Sequence, residues 1–166
     1  SQEGVAVVIV NSGVILGSGF WFSGSGTMFS QVYKGFSFYS EGVTGFVGVK
    51  DVICCMVGLM ESTCKNERFI LVSENKSFKE VLFSIADAFG KKKPSKCVQP
   101  WQASLFWRWE WLVSKITSRK TRMSKYTAKT LHTKTYYSSD KIKKLGINKF
   151  ESIEEVITSV SDDFLV

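Results

Sequence analysis

The sequence predicts an α/β fold organised around a parallel sheet, and three observations predict it. Residues 5–10 are six consecutive apolar positions, mostly β-branched. A run that short and apolar on both faces suits a strand covered on both sides. Short β-rich stretches then alternate with stretches of helical period, the order expected of βα units. Two of those helices open on a Ser-x-x-Glu capping box, Ser77 with Glu80 and Ser152 with Glu155.

Taken in order, the first strand meets turn chemistry at Asn11-Ser12-Gly13. Val14, Ile15 and Leu16 resume the apolar run and Gly17-Ser18-Gly19 ends it. Ligands in open α/β sheets sit beyond the carboxyl ends of strands. Residues 11–19 are therefore the first place to expect a bound molecule. A glycine- and serine-rich loop over 17–27 follows and holds Phe20, Trp21 and Phe22. Aromatics there either anchor the loop to its own domain or wall a substrate pocket.

Residues 28–34 read as a short helix with Met28, Phe29 and Val32 on one face, and 36–39 as a short strand. Residues 45–49 form the next strand, leading into an apolar helix that runs to Met60. Asp51 suits the first turn of that helix. Its nearly all-round apolar character predicts burial. A strand over 68–73 and a turn at Glu74-Asn75-Lys76 precede the helix capped by Ser77. There Phe78, Val81, Leu82, Ile85 and Phe89 keep the helical period, and Gly90 ends it.

Lys91-Lys92-Lys93-Pro94 reads as a solvated linker. Pro100 opens a predicted helix through Ile116, with Trp101, Leu105, Trp109, Leu112 and Ile116 on one stripe and Trp107 and Trp111 on a second. Two stripes suit a helix wedged between neighbours, or one lying on a membrane surface. A helix over 124–132 follows, ending near a surface or locally hydrogen-bonded His132. An aromatic strand at Tyr136-Tyr137 leads to a short helix closed by Gly146. The last helix turns Ile153, Val156, Ile157, Val160 and Phe164 inward.

The strand followed by Asn11-x-Gly13-x-x-x-Gly17-x-Gly19 resembles a segment of the extended short-chain dehydrogenases, the NAD(P)-dependent epimerase, dehydratase and dihydroflavonol-reductase family. Ser12 and Ser18 stand where that family usually has prolines, and Gly48 where it commonly has an acid. The Val49-x-Asp51-Val52 junction and the Ser139-x-Lys141-x-x-x-Leu145-Gly146 segment extend the likeness over nearly the whole chain. The resemblance covers only the C-terminal half of a family member, and residues 1–4 look like the tail of its catalytic helix. It implies a partial Rossmann-like parallel sheet, with the end of the sheet and its helices in 1–90 and a basic, mainly helical, substrate-binding part in 91–166. It further implies that Asn11, Ser12, Gly13 and Val14 line the nicotinamide end of NAD or NADP, and that Phe20, Trp21 and Phe22 border a small-molecule substrate.

The family's glycine-rich fingerprint is absent, and no Tyr-x-x-x-Lys lies on an amphipathic helix. Hydride transfer requires a pyrophosphate cradle and a proton donor beside the reacting carbon. The chain alone is therefore expected to be inactive and to hold no cofactor tightly. Strand 5–10 should keep few partners, the candidates being 45–49 and 68–73, and the chain should self-associate, pair with a missing N-terminal half or another partner supplying strands, or show low stability.

At 166 residues, 44% of them hydrophobic, the chain can bury a core as one unit. No apolar run approaches the roughly 20 residues that span a bilayer, and no signal peptide is expected. Cys54, Cys55, Cys64 and Cys97 lack Cys-x-x-Cys spacing and His132 is the one histidine, so no zinc site is expected. Adjacent cysteines in an apolar stretch read as buried thiols of a reducing, cytoplasmic compartment. The net charge of +7 divides into −2 over residues 1–90 and +9 over 91–166. The basic part suggests attraction of nucleic acid, a membrane surface or an anionic substrate. Its charges are scattered over several elements, so sequence-specific nucleic-acid binding is not expected.

Overall fold

A computed structural model describes residues 7–99, 132–146 and 150–165. In chain order they form β1 (Val8–Ser12), β2 (Val14–Leu16), α1 (Gly26–Tyr33), β3 (Phe38–Tyr39), β4 (Val43–Gly48), α2 (Val49–Glu61), β5 (Glu67–Leu71), β6 (Glu74–Ser77), α3 (Phe78–Ala88) and β7 (Lys96–Cys97). Two further helices close the list, α4 (Asp140–Lys143) and α5 (Ile153–Leu165).

Strand β1 pairs in parallel with β5, from Val8 opposite Glu67 to Ser12 opposite Leu71. Strand β2 pairs in parallel with β4, from Val14 opposite Phe46 to Leu16 opposite Gly48. Strand β6 runs antiparallel along β4, and β3 pairs in parallel with β7. At Val43 the edge of β4 also takes residues 133–135, through Val43 N–H to Thr133 O at 3.0 Å and Thr135 N–H to Val43 O at 2.9 Å.

The period of two along β4 builds a core on each side of the sheet. Phe46 packs in one cluster with Leu16, with Phe29 of α1, Val81 and Ile85 of α3, and Ile157 of α5. Its neighbour Val47 packs in the other with Phe69 and Leu71 of β5, Val52 and Leu59 of α2, and Ile142 of α4. Helices thus cover both faces, which is why β4 is apolar without alternation. The expected α/β architecture with parallel strands is observed.

Both capping boxes form. Ser77 Oγ accepts from Glu80 N–H at 3.1 Å while Glu80 accepts from Ser77 N–H at 2.7 Å. Ser152 and Glu155 repeat the arrangement at 3.3 and 3.0 Å. Gly90 and Gly146 take left-handed φ of 60° and 76° just after α3 and α4, as their positions predicted.

Several expectations need correction. Asn11 and Ser12 continue β1 because they pair with Ile70 and Leu71, so the break falls at Gly13 alone. Residues 74–77 are the strand β6, because β4 offers them an edge. Tyr136 and Tyr137 form no strand. Helix α2 is not buried all round: Ile53, Met56, Val57 and Met60 are exposed. Of the adjacent cysteines Cys55 is buried but Cys54 is exposed, and both are free thiols. The predicted helix over 100–116 lies outside the described residues, as does that over 124–132 except for His132, which is in a turn. No helix among the described residues is long and apolar enough to cross a membrane.

Candidate functional site

The chain changes sheet partner at Gly13. Up to Ser12 it is bonded to β5, and Gly13 N–H extends that ladder to Leu71 O at 3.0 Å. From Val14 onward it is bonded to β4. This change of partner lies at the carboxyl ends of β1 and β5, the kind of position at which α/β folds bind ligands, and a crevice opens there. A Cβ on Gly13 would lie 2.3 Å from the carbonyl oxygen of Gly45, so only glycine permits this approach. Gly45 is equally constrained, with Val72 side-chain atoms 2.5 and 2.8 Å from its Cβ position.

The crevice is lined by Asn11, Ser12, Gly13, Val14, Thr44, Ile70 and Tyr137 and encloses about 470 Å³. That volume falls within the range of small-molecule sites. All four residues expected at a cofactor, Asn11 to Val14, line this one cleft. Tyr137 and Thr44 were not anticipated there. Tyr137 arrives from 67 residues beyond Ile70 in the chain, so no local pattern announces it.

Tyr137 is fixed through its backbone. Its N–H donates to Asn75 Oδ1 at 2.9 Å, and the Asn75 amide donates back to Tyr137 O at 2.8 Å. Two residues on, the buried Ser139 hydroxyl donates to Val72 O at 2.7 Å. Tyr137 and Lys141 do have Tyr-x-x-x-Lys spacing. However, Tyr137 precedes α4, and Lys141 Nζ pairs with Glu67 at 2.9 Å, donates to Arg68 O at 3.0 Å and lies over Phe69. The lysine is therefore committed to β5 and does not serve the tyrosine hydroxyl.

The three aromatics of the first loop have different fates. Trp21 packs edge-on against Phe29 and Phe164, with centroids 6.3 and 4.8 Å away, and so anchors the loop to the core. Phe20 and Phe22 are 79% and 87% exposed. None of the three lines the cleft at Gly13. Ser25 closes the loop by donating its hydroxyl to Ile15 O.

Charges near the sheet are structural. Burial pushes the Asp51 carboxyl up; the N–H of Glu151, which it accepts at 3.2 Å, opposes this, and the Glu151 charge adds to it. Burial, then Asp51, then Cys54 push the Cys55 thiol up, which makes it a poor nucleophile. Among the described residues no group of three His, Cys, Asp or Glu side chains converges as metal ligands.

No protein-family model matches the sequence, and no curated protein matches it. Solved structures do match. The protein gox2253 superposes with a TM-score of 0.74 at 21% identity, over 95% of this chain and 48% of its own. A nucleoside-diphosphate-sugar epimerase from Pseudomonas aeruginosa gives 0.74 at 16% identity, over 99% and 49%. The fold of this chain matches about half of the fold of these structures. A UDP-glucose 4-epimerase from Thermotoga maritima, solved with UDP-glucose, gives 0.70 at 15% identity, over 99% and 47%. Further structures with this epimerase fold hold NAD or NADPH. The chain thus spans about half the length of the solved structures it matches.

Proposed function

We propose that this chain is the C-terminal, substrate-binding portion of an NAD(P)-dependent epimerase, dehydratase or reductase acting on a sugar nucleotide or another carbonyl or hydroxyl compound. The observation behind this reading is the crevice at Gly13: it lies where β1 and β2 part company, at the carboxyl ends of parallel strands. Its residues suit the nicotinamide end of a dinucleotide. The exposed Asn11 and Ser12 offer hydrogen-bonding partners for a carboxamide beside the apolar Val14 and Ile70. A bound nicotinamide would supply hydride chemistry; the residues of this chain would hold and orient it.

The sequence has no glycine-rich pyrophosphate cradle, and Lys141 is turned away from Tyr137. The chain by itself therefore binds NADH and NADPH weakly and turns nothing over. Calorimetry with each nucleotide tests this, and a dissociation constant in the low micromolar range would refute it. The second test is the reading frame upstream of Ser1. An in-frame Gly-x-x-Gly-x-x-Gly unit and a helical Tyr-x-x-x-Lys are expected there, and their absence would remove the enzyme reading.

A further inference from the structure

On a different surface, lysines and aromatic rings are interleaved. The segment from Tyr33 to Phe38 runs beside residues 91–96, joined by Ser95 N–H and Lys96 N–H to Ser37 O at 3.0 and 2.9 Å. Lys91 lies over Tyr33 at 4.8 Å from the ring centroid, and Lys96 over Phe38 at 5.6 Å. Lys93 and Lys79 both lie over Phe83, at 5.7 and 5.6 Å. Lys34 lies over Phe22 at 6.0 Å, and Phe36 packs on Phe38 at 5.7 Å. Phe22, Phe36 and Phe38 are all exposed. Asp87 is paired with Lys93 at 2.8 Å, leaving Lys91 and Lys92 exposed beside it.

The geometry points to this face as a docking surface for an anionic lipid bilayer. Its charge is complementary to acidic headgroups, and each lysine near such a surface contributes about 1 kcal/mol, or about fivefold in affinity. Phenylalanines with no polar atom to satisfy can enter the headgroup boundary. Interfacial binding scales with buried apolar area plus electrostatic attraction to anionic lipids, and this face offers both. Single-stranded nucleic acid fits less well. Its bases stack on the faces of aromatic rings, and here lysine ammonium groups already lie over several of those faces. The inference does not rest on the proposed enzyme reading, because no residue of the cleft takes part.

The test is co-sedimentation of the full chain with phosphatidylcholine vesicles, with and without phosphatidylglycerol. Binding is expected only to the acidic vesicles and should weaken as salt shortens the screening length. Combining K91E and K92E, which spare the Lys93–Asp87 pair, should lower the affinity by at least about 25-fold, while the melting midpoint stays that of the parent. Combining F36S and F38S should abolish the part of the binding that survives high salt. Should that second variant fail to fold, the exposed lysine set still decides. Equal binding to neutral vesicles, no binding to either kind, or tighter binding to a single-stranded oligonucleotide than to acidic vesicles would each overturn the inference.

Discussion

Asn75 and Tyr137 hold each other by a reciprocal pair of hydrogen bonds, 2.9 Å in one direction and 2.8 Å in the other, across 62 residues of chain. Asn75 sits on β6 opposite Gly45 of β4. Gly45 is in turn the residue whose carbonyl meets Gly13. One side-chain amide thus connects the rim of the cleft to its floor. An amide is the group suited to this, because it both donates and accepts.

Replacing Asn75 with alanine should cost about 1–2 kcal/mol, since it removes two hydrogen bonds worth roughly 1 kcal/mol each. Denaturant unfolding would read the loss. Aspartate keeps only the acceptor and should recover about half of it. A loss for aspartate as large as that for alanine would show that the donated bond dominates.

Gly13→Ala should be far more damaging than Gly19→Ala. The first drives a Cβ against the Gly45 carbonyl at 2.3 Å, a backbone clash that cannot be relieved by a rotamer, and should cost about 2–4 kcal/mol. The second meets no atom within 4 Å and carries only the strain of a φ of 103°, about 1–2 kcal/mol. Comparable midpoints for the two variants would mean that the sheet does not close at Gly13 as described.

Strands and caps were legible in the sequence because their signals are local: β-branched runs, a Ser and a Glu three residues apart, a glycine after the last turn. That 11–14 end a strand at a glycine was legible for the same reason, since a strand end followed by glycine is a local pattern. Tyr137, Thr44 and Ile70 were not, because only long-range pairing brings them to Gly13. The reading of 74–76 as a turn failed in the same way. Glu, Asn and Lys are poor strand formers, and the edge of β4 overrides that preference. The exposed stripe on α2 was missed because an all-apolar helix carries no mark of which side the chain itself will cover.

The Ser77 box makes a prediction in pH. The N–H and hydroxyl of Ser77 hold the Glu80 carboxyl below its ordinary value of 4.5. A depressed carboxylate confers stability that is present above the unfolded value and is lost as pH falls through the folded one. Ser77→Ala should therefore cost about 1 kcal/mol at neutral pH. The gap from the parent should narrow as the glutamate protonates. Thermal melts across the acid range would show it, and a gap independent of pH would contradict the reciprocal cap.

Asp51 should behave in the opposite sense. Its carboxyl is raised, chiefly by burial. The folded state then holds the proton more tightly than the unfolded chain, so stability is greatest below the ordinary value of 3.8 and declines as pH rises through the raised one. Asp51→Asn keeps an oxygen for the Glu151 N–H and removes the charge. The variant should match the parent in acid and equal or exceed it at neutral pH. Greater destabilisation at neutral pH than in acid would reverse the sign and exclude burial as the dominant effect.

The last prediction concerns the surface that the described residues leave uncovered. Ile53, Met56, Val57 and Met60 recur at helical spacing and form one exposed stripe on α2, with Met60 83% exposed. Val7, just before β1, and Ile9 on it are exposed, while Val8 and Val10 pack against the cluster that includes α2. Strand β1 has one partner, β5, among the described residues. An apolar stripe beside a strand edge is a template for association, and the matched structures are about twice the length of this chain. The chain alone should therefore self-associate with rising concentration. Val57→Glu and Met60→Lys together should suppress that without unfolding, because neither side chain belongs to the buried cluster beneath. Val8→Lys should fare worse, because it places a charge against that cluster. Sedimentation velocity and melts of the three chains decide between them. A parent that stays monomeric at high concentration with a cooperative melt would show that this surface needs no partner.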